Sequence, residues 1–262
     1  MYKINNKVEF DKDLAKLVSY LTFDGHLSED LKCLYLSSKH KDTLSNFEKL
    51  IYKKFKITGR LEKGTGYGES YKYRIFNSKV CAFLEGIGVP KGSKVNKSFL
   101  IPNWIKGNKE FSREYLRTAF DCEGSIWFEK QPKIRFGIFK IEELLNNGFQ
   151  FLEEMKLMLN MFDINSTKTW LMNGNKRKDN KVTKGLYFKI KQGSLLQFAK
   201  EIGFNDRFKN KRLILMKRMG RCSQHGPLNG SMKLWGNLAS LSGLGVRRES
   251  ASQIKTRRPR FK

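Results

Sequence analysis

Two carboxylates in this sequence stand where a folded chain gains nothing from them. Leu17-Val18-Ser19-Tyr20-Leu21-Thr22-Phe23-Asp24-Gly25 and Leu116-Arg117-Thr118-Ala119-Phe120-Asp121-Cys122-Glu123-Gly124 share one pattern: a largely apolar helical run, then an acid, then glycine. Asp24 and Glu123 lie 99 positions apart. A carboxylate near the negative end of a helix is unfavourable by about 0.3–1 kcal/mol, so its recurrence favours a functional group over a helix end with nothing to bind. Other reactive side chains offer less. Cys33, Cys81, Cys122 and Cys222 form no C-x-x-C pair, and Cys222 with His225 falls short of a four-ligand zinc site. Gly64-Thr65-Gly66-Tyr67-Gly68 lacks the GK[ST] ending and leads into a strand, so it reads as a hairpin turn rather than a phosphate loop. His26 and His40 are near the first acid but are not expected to act as general bases.

The elements that must position these acids also come in two copies. Phe83-Leu84-Glu85-Gly86-Ile87-Gly88 answers Phe198-Ala199-Lys200-Glu201-Ile202-Gly203 at an offset of 115 residues, so the order of landmarks is kept while the loops grow. In the first copy the periodicities predict a strand over Leu31–Ser38, a helix over Asp42–Lys56, strands near 57–63 and 71–76, and a short helix over 78–88. In the second they predict a helix over 112–123, strands near 125–129 and 134–140, a helix over 141–162, strands near 167–172 and 185–191, and a helix over 193–202. Residues 172–181 form a basic hairpin tip suited to backbone phosphates.

Composition restricts the partners. The 262 residues carry 52 Lys and Arg against 25 Asp and Glu, a formal charge of +27, which self-repels unless a polyanion neutralises it. Nucleic acid is therefore the first partner to consider. There is no run of 18 apolar residues and no apolar signal-peptide core, so a soluble, intracellular protein without membrane contact is expected. Residues 221–262 hold a net +8 with Arg outnumbering Lys six to three, whereas Lys outnumbers Arg 34 to 9 before them. That segment is expected to be a disordered basic tail that adds salt-dependent, sequence-independent affinity.

The two nine-residue segments, with Gly88-Val89-Pro90-Lys91-Gly92-Ser93-Lys94 and Ile101-Pro102-Asn103-Trp104-Ile105 between them, resemble the LAGLIDADG homing endonucleases of the two-repeat, monomeric type. The resemblance covers roughly residues 12–220. It implies an α+β fold of two pseudo-symmetric αββαββα repeats forming a DNA-binding saddle of antiparallel sheets. It divides the chain into a first repeat (1–95), a linker (96–111), a second repeat (112–220) and the tail (221–262). It also implies that Asp24 and Glu123 are the catalytic metal ligands, holding Mg2+ with Mn2+ as a substitute, and that Lys39 and Lys140 assist as catalytic lysines beyond the first long strand of each repeat. Asp121 is read as structural. Ser19 with Thr22, and Thr118 with Cys122, offer the small stripe that close packing of the two motif helices needs.

Lys32, Arg60, Lys72, Arg74, Arg135, Lys168, Lys189 and Lys191 on the strands, with Lys176 and Arg177 at the hairpin tip, are the expected DNA contacts. Two sheets of strands at roughly 3.3 Å per residue would cover an asymmetric duplex site of about 16–20 base pairs. The activity implied is site-specific, double-strand DNA cleavage by an intron-encoded monomer. An RNA maturase acting on intron RNA and a DNA-binding regulator with a dead site are the alternatives, the latter disfavoured because both acids are present. An intein is disfavoured by Met1 and by the absence of a terminal His-Asn pair.

Overall fold

The computed structural model describes residues 8–64, 69–177 and 179–223, with side chains through residue 218. The basic segment expected to be a tail therefore lies outside the described residues beyond Ser223, as does the centre of the glycine-rich turn.

Helix α1 (Lys12–Thr22) opens the first copy, followed by β1 (Gly25–Leu27), β2 (Cys33–Ser38), α2 (Lys41–Phe55), β3 (Arg60–Lys63), β4 (Tyr71–Phe76) and α3 (Ser78–Gly86). A short helix α4 (Asn103–Lys106) leads into α5 (Lys109–Glu123), β5 (Ser125–Phe128), β6 (Pro132–Ile141), α6 (Leu145–Asn160), β7 (Trp170–Lys176), β8 (Val182–Lys189), α7 (Leu195–Glu201) and α8 (Arg207–Ser223). The two four-stranded antiparallel sheets have the same order, β1-β2-β4-β3 and β5-β6-β8-β7. This is the αββαββα pattern expected of each copy.

The two motif helices start alike. Asp11 Oδ1 accepts from the Leu14 N–H at 2.9 Å, and Asn108 Oδ1 accepts from Glu110 and Phe111 N–H at 2.9 and 3.1 Å. Such caps contribute about 1 kcal/mol each. The helices also end alike, on glycines that only glycine can occupy without a shift. A Cβ on Gly25 would lie 2.9 Å from Leu21 Cα, and one on Gly124 would lie 2.4 Å from the Phe120 carbonyl oxygen. The chain can therefore turn tightly from helix into strand directly after each acid.

Between these ends α1 and α5 pack along one another. Ser19, Thr22 and Thr118 are buried there, and the Ser19 hydroxyl donates to the Tyr115 carbonyl at 2.8 Å, a polar tie across the two copies. Phe23, too large for a small-residue stripe, turns into an aromatic cluster with Tyr115, Phe136 and Phe151. Arg117 faces away, donating to the Ile202 carbonyl at 2.6 Å and pairing with Glu114. On the sheets, Leu34, Leu36, Tyr73 and Ile75 of one copy and Ile134, Phe136, Leu186 and Phe188 of the other form the buried faces.

The elements differ from the sequence expectation mainly at their edges. β1 is three residues long, too short for an alternation to register. The strand expected from Leu31 starts at Cys33, because Leu31 has a left-handed backbone (φ 53). Lys56 (φ 55) closes α2 in the same way, which delays β3 to Arg60. The helix expected over 141–162 begins with a 3-10 turn at Glu142–Leu144. Helix α8 was not anticipated: its apolar positions, including buried Leu213 and Met216, are thinned by Arg and Lys. Among the described residues no helix is long and apolar enough to cross a membrane.

Candidate active site

Each acid emerges at the C-terminus of its motif helix, and the packing of α1 against α5 brings the two ends to one cleft. Asp24 and Glu123 both line a cavity of about 380 Å³, with Ser37, Lys94 and Lys140 among its walls. An adjoining cavity of about 370 Å³ is lined by Asp24, Lys39, Asp121 and Lys209. Both residues are exposed to solvent, yet enough protein surrounds their carboxylates to shift them. Burial pushes Asp24 above the usual carboxylate range, opposed by a hydrogen bond from the Cys122 thiol and by the charges of Lys209 and Lys94. Burial, then the charge of Asp24, raises Glu123 to about 7. An acid whose proton affinity is raised by burial and by a neighbouring carboxylate can accept a cation in place of the proton.

Neither motif helix has a basic residue in its last turn. The cations come from elsewhere. Lys94 Nζ donates to the Phe23 carbonyl at 2.9 Å and to the Gly25 carbonyl. Lys209 Nζ donates to the Phe120 carbonyl at 3.1 Å and to that of Asp121. Each lysine thus sits on the negative end of a motif helix beside its acid. They are 115 positions apart, the offset that relates Phe83 to Phe198 and the left-handed glycines Gly88 and Gly203. Sequence reasoning missed both, although that offset was available to find them. Burial lowers Lys94 to about 8, with Asp24 and Glu123 opposing the shift.

Asp121 is engaged by backbone. Its Oδ1 accepts from the Asn205 and Asp206 N–H groups at 2.8 and 2.9 Å, and the Asp206 side chain accepts from Lys209 N–H at 2.8 Å. The acid thereby holds the start of α8, and so Lys209, at the site.

The two lysines expected as catalytic partners do not occupy equivalent places. Leu27 pairs with Leu34 in one copy and Ile126 with Ile134 in the other, so Lys39 corresponds to Phe139 and not to Lys140. A slip of one residue changes the face of a strand. Lys39 is exposed at the end of β2, on the wall of the second cavity. Lys140 shares the inward face with Ile134, Phe136 and Ile138 and is 1% exposed. Its Nζ donates to the Lys94 and Lys97 carbonyls at 2.9 and 2.5 Å; unlike Lys94 and Lys209, which are half-buried, it is buried, and its ammonium is directed at the backbone between the copies.

Of the expected DNA contacts, Arg60, Lys72, Arg74, Arg135, Lys176 and Lys189 lie on strands, while Lys32, Lys168, Arg177 and Lys191 lie just outside them. The strand placement of Lys32, Lys168 and Lys191 is corrected accordingly: β2, β7 and β8 are each offset by two or three residues at those ends. Lys72 and Arg74 lie over the Tyr35 ring, 5.1 and 5.3 Å from its centroid, on the face opposite the core. Arg135 is held between Trp127 and Tyr187 at 5.5 and 4.7 Å, and Lys189 over Trp170 at 5.3 Å. Arg74 is also tied to Glu62 at 3.0 Å, Lys32 to Asp30 at 3.3 Å and Arg177 to Asp179 at 3.3 Å. These are solvent-facing pairs that a phosphate can displace at little cost.

The donor set suits a small, hard divalent ion. Two carboxylates converge, and among the described residues no group of three or more His, Cys, Asp and Glu could enclose a metal. Magnesium is commonly held by one or two carboxylates, retaining waters and taking phosphate oxygens.

No family model matches the chain. It is 34% identical over 128 residues to the DNA-directed RNA polymerase subunit Rpo1N of Methanocaldococcus jannaschii, covering 45% of this chain and 9% of that protein. It is 31% identical over 175 residues to the tRNA-splicing ligase RtcB of the same organism, covering 58% of this chain and 18% of that protein. The chain thus spans less than a fifth of the length of these curated relatives. Among solved structures, full-length DUF199/WhiA from Thermatoga maritima aligns with a TM-score of 0.51 at 13% identity, over 90% of this chain and 69% of that one. The homing endonuclease I-DmoI aligns at 0.47 and 12%, over 73% and 88%. Among the described residues, the mixed architecture of two four-stranded antiparallel sheets and eight helices matches the fold of DUF199/WhiA, whose N-terminal domain is described as a LAGLIDADG domain.

Proposed function

We propose that this protein is a site-specific endonuclease that cuts both strands of duplex DNA with a divalent metal, magnesium in the first instance. The observation that carries the reading is the convergence of Asp24 and Glu123, one from each copy, at the joined ends of α1 and α5. In this reading these two carboxylates hold the metal. When bound, the ion supplies positive charge beside the phosphate undergoing hydrolysis.

The chain's own groups supply the rest. Lys94 and Lys209 each place an ammonium next to an acid, where it can offset charge gathering on a phosphate. The Lys94 Nζ, lowered to about 8, can also give up a proton to a leaving oxygen near neutral pH. On the outward faces of the sheets, Arg74 and Arg135 present guanidinium groups flattened against aromatic rings, suited to guanine edges or phosphates. Two copies with different residues at matching places read an asymmetric site as one monomer. Recurrence of related segments within an RNA polymerase subunit and an RNA ligase, each over a small part of its length, supports a module carried by a mobile element.

Exchange of metals tests the chemistry. Calcium is larger and a poorer Lewis acid, so it should support DNA binding without cutting, and magnesium should support both. Efficient cutting in calcium alone would count against the proposed chemistry.

A further inference from the structure

Lys140 is a buried lysine without a carboxylate. It is 1% exposed, and burial alone lowers its ammonium to about 8, with no acid opposing the shift. An unpaired cation in a core persists only if the structure gives it strong acceptors. Its acceptors are backbone carbonyls, those of Lys94 and Lys97, at 2.9 and 2.5 Å, and the Phe99 ring lies 3.9 Å from the Nζ. All three belong to the segment that joins the two copies.

That segment is attached to both copies. Its later part is fastened to α6: Phe99 N–H donates to Asn147 at 3.2 Å, the Asn147 amide donates to the Phe99 carbonyl at 3.0 Å, and Ile101 N–H donates to Glu154 at 2.9 Å. Its earlier part carries Lys94 in a single 3-10 turn, Lys94–Asn96, and is tied to the first copy by the Gly92 N–H, which donates to the Leu27 carbonyl at 2.7 Å, and by Lys97, which pairs with Glu29 at 3.0 Å. On the second copy's side, Lys140 binds the carbonyl at the start of this turn and the one just after it. The Lys94 side chain then leaves in the opposite direction, to the end of α1.

From this geometry we infer that Lys140 is a positioning residue: it clamps the turn between the copies so that the ammonium of Lys94 is held at the acid pair. The inference rests on the endonuclease reading for its effect on cleavage, but not for its effect on the turn. Lys209 needs no such clamp, since Asp121 and Asp206 fix the start of its helix.

The test uses the full-length chain and two measurements. Hydrogen exchange, without DNA or metal, should show the amides of residues 92–99 exchanging about ten-fold faster in Lys140→Met, with α1 and α5 unchanged. If Lys140→Met does not fold, Phe99→Leu, which removes only the ring, should speed the same amides by about three-fold. Unchanged exchange in whichever variant folds overturns the clamp. In the second measurement, cleavage at saturating duplex DNA and magnesium should slow about ten-fold in Lys140→Met with DNA affinity retained. The same substitution in a Lys94→Met background should then cost nothing more. Losses that multiply would show that Lys140 does not act through Lys94. If wild-type protein cuts no DNA, the endonuclease reading fails, and the exchange measurement alone decides the clamp.

Discussion

Replacing Asp24 with Asn, or Glu123 with Gln, should reduce double-strand cleavage by at least about a thousand-fold while leaving DNA affinity within a few-fold. Both substitutions keep the size and polarity of the side chain and remove its charge. The acids line the cleft, whereas the cations proposed to meet DNA lie on the outward sheet faces, so binding and cutting should separate. A plasmid assay for cutting and a filter or fluorescence assay for binding would read the two independently. Wild-type cutting by both variants would remove the acids from the mechanism. The substitutions should also leave a trace in stability. Glu123 titrates at about 7 in the fold against an ordinary 4.5, so the folded state binds its proton more tightly than the unfolded state does. The stabilising effect of that proton is fully present below about 4.5 and lost as pH rises through about 7. Because Glu123 is exposed to solvent, the full shift overstates the effect. Glu123→Gln should stabilise metal-free protein at pH 8 by on the order of 1 kcal/mol and change little at pH 4.

The second large effect should come from the lysines on the helix ends. Lys94→Met and Lys209→Met should each slow cleavage by about a hundred-fold, since each removes an ammonium beside an acid. Their hydrogen bonds to the ends of α1 and α5 also stabilise the fold, so a smaller loss of thermal stability should accompany the change. Arginine at either position would restore charge without fitting the same carbonyls, and should recover only part of the rate. Single-turnover cleavage at saturating DNA separates these outcomes from weakened binding. Unchanged rates in both methionine variants would mean that the two ammonium groups only cap helices.

The motif helices and most second-copy strands were legible because apolar periodicity and an acid followed by glycine mark them from the local sequence alone. What was not legible depended on register. Lys39 and Lys140 look alike as lysines closing a long strand, but the pairing of Leu27 with Leu34 and of Ile126 with Ile134 sets them one residue apart. The alternation Ile134, Phe136, Ile138, Lys140 already placed the second of these inward. Lys94 and Lys209 were hidden for a different reason. They lie outside the motif segments and reach the acids only after the chain has crossed between elements, although their spacing of 115 matches that of other paired landmarks. Helix α8 was missed because its buried residues are few among many cations, and it is Lys209 on this helix that completes the second half of the site.

The central claim is sequence-specific, metal-dependent cutting of both DNA strands, and the most direct measurement is incubation of the full-length protein with a randomised duplex DNA library in magnesium, followed by sequencing of the ends produced. The account predicts recovery of one long, asymmetric site of about 16–20 base pairs, cut on both strands at fixed positions, with no ends recovered from the Asp24→Asn protein. Absence of any enriched ends in magnesium or manganese, or a cut pattern that persists in Asp24→Asn, would contradict it.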